Sequence, residues 1–247
     1  IISAIAKLQV SEAESILRQS LNTNNPDKRK NVLYALSRVG SKASLKDLST
    51  AAEKDNYTMG KDGACEAYIS LIKRIMSEGY IKDAEKAAND LMKKAQKAGK
   101  TQTREAALQI LMSVNPAGAL GLVQNALKDN SRHYRYAALL SASDYADQNM
   151  YNELIKSLKK VNTDVQLDIL NWLGSECDMP DKRKIITPLI TATSIELLME
   201  KNRDIKKSAA NILSKTDELK AIEALAYLLN DADPNTVKIA QNALSST

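Results

Sequence analysis

Lys28-Arg29-Lys30-Asn31-Val32-Leu33-Tyr34-Ala35-Leu36 opens with basic residues and runs at fixed spacing into small and aliphatic ones. The same frame returns at Thr103-Arg104-Glu105-Ala106-Ala107-Leu108-Gln109-Ile110-Leu111. It returns again at His133 to Ser141, Val165-Gln166 to Trp172-Leu173, Ile205-Lys206 to Ile212-Leu213 and Thr236-Val237 to Ala243-Leu244. A seventh, poorer copy falls near Lys61 to Ile69. From position 103 onward the frame starts are about 30, 32, 40 and 31 residues apart, a period that marks a helical solenoid.

Composition agrees with that architecture. The 247 residues contain no Phe and one Trp, with 44% hydrophobic and 26% charged residues. Small and aliphatic side chains suit closely stacked helices, whereas a β-sandwich needs more aromatic and β-branched runs. No segment shows sustained period-two alternation. Eight Gly and five Pro leave little room for long loops. In a repeat array each unit contacts only its neighbours, so one domain over 1–247 is expected without a central core.

The helices read as seven pairs: 11–21 with 26–39, 43–54 with 61–78, 81–98 with 101–114, 116–128 with 131–143, 149–160 with 163–174, 181–199 with 203–214, and 217–230 with 234–245. Asn25-Pro26, Asn115-Pro116 and Asp233-Pro234 set a capping side chain before a proline at the first helical position, where its missing N–H costs nothing. Met179-Pro180 offers the proline without the cap. Gly40, Gly79, Gly99 and Gly174 fall where helices should stop in a left-handed residue. Ile222, Leu225, Ala226 and Leu229 form one apolar stripe on the first helix of the last pair. Two stretches break the period: Asn56 to Gly60 as a longer turn, and Thr193 to Asn202 as an insertion of about eight residues; insertions in solenoids map to loops. Ile1 to Leu8 reads as the end of a preceding second helix, which together with the absence of polar caps suggests a piece of a longer polypeptide.

This frame resembles the HEAT repeat, whose second helix runs valine-arginine, alanine, alanine-leucine-glycine. Val165-Gln166 through Ile169 to Trp172-Leu173-Gly174 is similar, and Asp231-Ala232-Asp233-Pro234 resembles the family's acidic turn. The resemblance covers nearly the whole chain, the second pair departing from it. It implies an all-α, right-handed superhelix of about seven HEAT-like pairs (armadillo-like in the broad sense), with second helices lining the concave face. It also implies that the basic residue after the frame start pairs with the acidic turn of a neighbouring repeat. Arg29, Arg104 and Lys206 hold that place; Tyr134, Gln166 and Val237 depart from it.

Chemistry is sparse. His133 is the only histidine, and Cys65 and Cys177 lie far apart inside helices, so neither a zinc site nor a disulfide framework is expected. A nucleophile elbow and glycine-rich phosphate loops are missing, which argues against an enzyme and against a nucleotide cofactor. No apolar run reaches the length of a membrane span. Net charge is +5, with 35 basic residues opposed by 30 acidic ones.

Two clusters stand out as partner-binding candidates. Arg132, His133, Tyr134 and Arg135 open a second helix with residue types favoured in interface hot spots. Lys201, Arg203, Lys206 and Lys207 form a basic group, interrupted by Glu200 and Asp204. The fifth repeat's second helix is acidic at Asp164, Asp168 and Glu176, so no basic stripe runs across repeats. Trp172 is expected to fill a gap between repeats, its indole N–H seeking a carbonyl.

The expected function is a non-enzymatic scaffold presenting a concave surface to a protein partner or a covalently attached domain. HEAT arrays of this look accompany sugar-acting catalytic domains in exported bacterial proteins, which implies a periplasmic or extracellular setting. The alternative is a DNA-binding array of the alkylpurine DNA glycosylase type. That resemblance stops at size, charge and repeat type, because the aromatic-plus-arginine groove is not matched.

Overall fold

A computed structural model describes residues 1–60 and 63–246. The frame start at Lys61 lies outside the described residues, as do Asp62 and Thr247. The chain is all-α: fifteen α-helices and no strand among the described residues. It divides into two compact units, Ile1–Ala119 and Leu120–Thr247.

Unit 1 holds α1 (Ile2–Leu8), α2 (Glu14–Ser20), α3 (Pro26–Val39), α4 (Leu45–Lys54), α5 (Ala64–Ser77), α6 (Ile81–Lys97) and α7 (Thr101–Val114). Helix α2 packs on α3, α4 on α5 and α6 on α7, the three expected pairs. The second helices also pack on one another, α1 on α3, α3 on α5 and α5 on α7. Thus α1 occupies a second-helix place, as its sequence suggested.

Unit 2 begins in the first turn of α8 (Ala119–Ala126) and continues with α9 (Arg132–Ala142), α10 (Gln148–Ser157), α11 (Thr163–Glu176), α12 (Pro180–Leu197), α13 (Arg203–Leu213), α14 (Leu219–Tyr227) and α15 (Pro234–Leu244). The layering repeats: α9, α11, α13 and α15 pack in succession, while α10 packs on α12 and α12 on α14. Both units are stacks of paired helices in two layers, second helix packed on second helix.

Local sequence explains the ends. Asn25 Oδ1 accepts from the N–H of Lys28 at 2.9 Å, and Asp233 Oδ1 from that of Asn235 at 3.0 Å, each ahead of its proline. Asn115 caps only a 3-10 turn, accepting from Gly118 N–H at 3.2 Å. Gly79 and Gly99 adopt the expected left-handed conformation. Gly40 does not: its φ is −64° and it is extended, held by its N–H bond to Leu36 O. Gly174 ends nothing, because α11 runs on to Glu176.

The two stretches that break the period are placed, and the apolar stripe of α14 is corrected. At Thr193 to Asn202 the first half continues α12 to Leu197, within the expected helix 181–199, and the rest forms the turn into α13. The turn at Asn56 to Gly60 is tucked inward: Tyr57 is buried with φ 54°, and its carbonyl accepts from Thr103 Oγ1 at 2.7 Å. On α14 the buried face is Ala221, Leu225 and the following Leu228, whereas Ala226 and Leu229 are exposed. The buried face meets α12, α13 and α15 together.

Candidate functional site

Ser131 caps α9 by accepting from Tyr134 N–H at 3.3 Å. Asn162 does the same for Val165, Asn202 for Ile205, and Asn25 for Lys28. Each cap therefore stands three residues before its frame start, and in the fourth repeat that start is Tyr134, not His133. With this register the starts at 103, 134 and 165 are spaced by about 31 residues, more evenly than the sequence reading had them.

The shift re-sorts the first candidate cluster. Tyr134 takes the position of Val165, Ile205 and Thr236, and like them it is buried. Arg135 takes the basic position of the repeat and is buried too. Its Nε donates to Asp168 Oδ2 at 2.7 Å, and its Nη1 to the carbonyls of Asp129 and Asn130 at 3.0 and 3.3 Å. Neither Tyr134 nor Arg135 faces a partner; both belong to the inter-repeat packing. The signal that locates them is the cap-to-frame distance, which the pattern of apolar residues alone obscures.

The same position holds Arg29, whose Nη1 and Nη2 meet the two Asp55 oxygens at 3.2 and 3.3 Å. It also holds Lys206, whose Nζ donates to Thr236 Oγ1 at 3.3 Å on the next second helix. The pairing implied by the resemblance, a basic residue on the acidic turn of a neighbouring repeat, is met by Arg29 on Asp55; Arg135 instead meets Asp168 within α11 and Lys206 a hydroxyl, while Gln166 and Val237 are not basic.

Arg132 and His133 remain exposed. Arg132 Nε donates to Asp168 Oδ1 at 3.0 Å, so the guanidinium is anchored while its side chain stays largely in water. Together with Tyr136 and Asn171 these two residues line an open cleft of about 560 Å³ between α9 and α11. Leu140, one turn beyond Tyr136, is half exposed. Asn171 is fixed by Ser208, whose hydroxyl donates to Asn171 Oδ1 at 2.9 Å from α13. Sequence reasoning named Tyr136 beside this cluster but missed Asn171 and Leu140.

In the second cluster Lys201, Arg203 and Lys207 are exposed, whereas Lys206 is turned toward Thr236. Two of the three acids credited to the surface of α11 are internal. Asp168 is taken by Arg132 and Arg135; Glu176 Oε2 accepts from Tyr151 Oη at 2.8 Å and Lys182 Nζ at 2.7 Å. Only Asp164 is exposed.

Trp172 is fully buried and tilted against Tyr151, ring centroids 5.6 Å apart. Its indole N–H donates to a hydroxyl, Ser143 Oγ at 3.0 Å, where a carbonyl was expected. Burial beside the Glu176 carboxylate raises the Tyr151 phenol well above its ordinary range. Asp147 caps α10 through Met150 N–H at 2.8 Å, a structural use of a carboxylate. No three His, Cys, Asp or Glu side chains gather into a metal-holding group among the described residues. No single helix among them is long and apolar enough to cross a membrane.

No protein-family model and no curated protein sequence matches the chain. Several solved structures with a similar path are designed or engineered proteins. A computationally designed armadillo repeat protein for modular peptide recognition is 17% identical, with a TM-score of 0.45 over 94% of this chain and 99% of that one. A designed armadillo repeat protein in complex with the peptide (KR)4 is also 17% identical, with a TM-score of 0.42 over 94% and 98%. An engineered protein matches at 17% identity and a TM-score of 0.42 over 95% and 96%. The helix pairing itself carries the fold assignment.

Proposed function

We propose that the chain is a non-enzymatic interaction scaffold whose second-helix face in unit 2 receives a segment of a protein partner. The observation that carries this reading is the open cleft of about 560 Å³ bounded by Arg132, His133, Tyr136 and Asn171. Its walls are held in place from behind, Arg132 by Asp168 and Asn171 by Ser208, so little side-chain order is left to impose on binding. Arg and Tyr at the mouth, with Leu140 alongside, combine charge, hydrogen bonding and apolar contact in the proportions of an interface hot spot.

The exposed cations Lys201, Arg203 and Lys207 are interleaved with the exposed carboxylates of Glu200 and Asp204. Such alternation favours a protein partner over a phosphate backbone, which rewards uninterrupted positive charge.

A displayed peptide library selected on the intact chain tests the proposal, with the selected peptides re-measured on Arg132→Ala, Tyr136→Ala and Asn171→Ala. Loss of at least one class of peptide in all three variants is expected. Peptides that bind every variant as well as the parent chain defeat the cleft assignment. Tight duplex DNA binding that falls steeply with salt, or base excision from alkylated DNA, defeats the protein-partner reading.

A further inference from the structure

A second cleft, in unit 1, has a different chemistry. It lies between α3 and α5 and encloses about 610 Å³, a volume that accommodates several side chains of a bound segment. Lys30, Tyr34 and Arg38 follow one another at four-residue spacing on α3, and all three are exposed; Tyr34 is 52% exposed although it is aromatic. Lys73 is exposed on the opposite wall. Among the described residues, no carboxylate pairs with Lys30, Arg38 or Lys73.

The neighbouring cation is treated differently. Arg74 Nε donates to the Ser37 carbonyl at 3.3 Å, and its Nη1 is bound by Glu78. That contact sets the register of the walls, placing the last turn of α5 beside the last turn of α3. Arg38 and Lys73 therefore stand at one end of the cleft and Lys30 at the other. Among the described residues the one carboxylate lining the cleft is Glu66, which accepts from Gly60 N–H and is partly withdrawn.

We infer that this cleft is a binding site for an acidic peptide segment in extended conformation. The spacing gives its form. Eight helical residues from Lys30 to Arg38 rise about 12 Å, which four residues of extended chain cover at about 3.3 Å each. A peptide with carboxylates four residues apart meets Lys30 at one end and the Arg38 and Lys73 pair at the other. An apolar side chain between them lies over the exposed ring of Tyr34. Nucleic acid is the poorer occupant: tight phosphate-backbone binding uses about 6–10 contacts, while this cleft offers three unpaired cations around an aromatic surface. The site stands on residues of unit 1 alone and does not depend on the cleft between α9 and α11.

The test is fluorescence anisotropy with the whole chain and a labelled peptide carrying two glutamates four residues apart, a leucine midway and serine spacers. At low ionic strength the glutamate peptide is expected to bind at least tenfold more tightly than its glutamine counterpart. Lys30→Glu, Arg38→Glu and Lys73→Glu, all on exposed positions that leave the fold intact by circular dichroism, are each expected to weaken it several-fold. Tyr34→Ala is expected to weaken both peptides. Equal affinity for the glutamate and glutamine peptides, or indifference to the three reversals, overturns the proposal. So does single-stranded oligothymidylate that binds more tightly than the peptide and is lost in the same reversals.

Discussion

Arg135 on α9 and Asp168 on α11 form an ion pair at 2.7 Å with side chains only 5% and 1% exposed. Two charges withdrawn that far from water are tolerable because each is hydrogen-bonded beyond the pair itself. Asp168 also accepts from Arg132, and Arg135 also donates to two carbonyls at the end of the α8–α9 turn. Breaking a buried pair by removing one partner costs about 3–5 kcal/mol. Asp168→Ala is expected to reach that range, since it strands the Arg135 guanidinium. Arg135→Ala should sit at the low end because Arg132 still satisfies one Asp168 oxygen. Arg132→Ala, on an exposed side chain, should cost no more than about 1 kcal/mol. Urea unfolding of the three variants checks the order, and equal losses for Arg132→Ala and Asp168→Ala contradict it.

How much of this was legible beforehand is shown by α9. The helices of the expected pairs could be read from apolar periodicity, because each helix buries one face and leaves the other in water. Register was harder: His133-Tyr134-Arg135-Tyr136 carries polar and aromatic groups on both sides of the frame start, and periodicity tolerates an error of one. Only the Ser131 cap resolves it, and that error moved Tyr134 and Arg135 from the interior to the supposed partner face. Gly174 shows a second limit. A glycine near a helix end reads as a stop, yet here it leaves room for Asn211 of α13, whose Nδ2 would lie 3.0 Å from an added Cβ. Close approach between helices distant in sequence leaves no local mark. Asn171 is a third case, since nothing near it announces that Ser208 will hold it.

The cysteines give a chemical prediction. Burial pushes the Cys177 thiol up to about 11, although Lys215 and Arg183 pull it back. Burial also raises Cys65, against a lowering bond with Thr103. Thiolate is the reactive form, so a rise from 9.0 to about 11 alone slows Cys177 roughly a hundredfold at neutral pH. Both thiols are expected to resist a disulfide reagent in the native chain and to react fully in denaturant. Rapid native reaction at either residue contradicts their burial.

Glu14 supplies the pH dependence. Burial works to raise its pKa, but the Ser44 hydroxyl, the Ser41 N–H and the Ser41 hydroxyl, at 2.6, 2.8 and 3.0 Å, hold it below the ordinary 4.5, with Arg18 assisting. A depressed carboxyl contributes stability that is fully present above its unfolded value and is lost as pH falls through the folded one. Glu14→Gln should therefore lower the melting temperature at pH 7, and the gap should close as the pH falls below 4.5. A gap that persists unchanged at pH 3 assigns the loss to shape, not charge.

Two glycines separate steric cost by what stands in the way. An added Cβ at Gly174 meets the end of the Asn211 side chain, which is exposed on α13 and can swing aside. Alanine is also the better helix former by about 1 kcal/mol, so Gly174→Ala is expected to be nearly neutral. At Gly40 the added Cβ would lie 2.6 Å from the Leu36 carbonyl oxygen and 2.9 Å from Ser44 Oγ. That carbonyl belongs to the last turn of α3 and already accepts the Gly40 N–H at 2.8 Å, so it cannot retreat without breaking the helix end. Ser44 is itself held by Glu14. Gly40→Ala should cost about 1–3 kcal/mol, the usual range for overpacking. The backbone at Gly40, with φ −64° and ψ 143°, suits any residue, so the loss is steric and not conformational. Denaturant unfolding of the two variants side by side reads the difference, and a Gly40→Ala chain as stable as Gly174→Ala refutes the close approach at the α3–α4 turn.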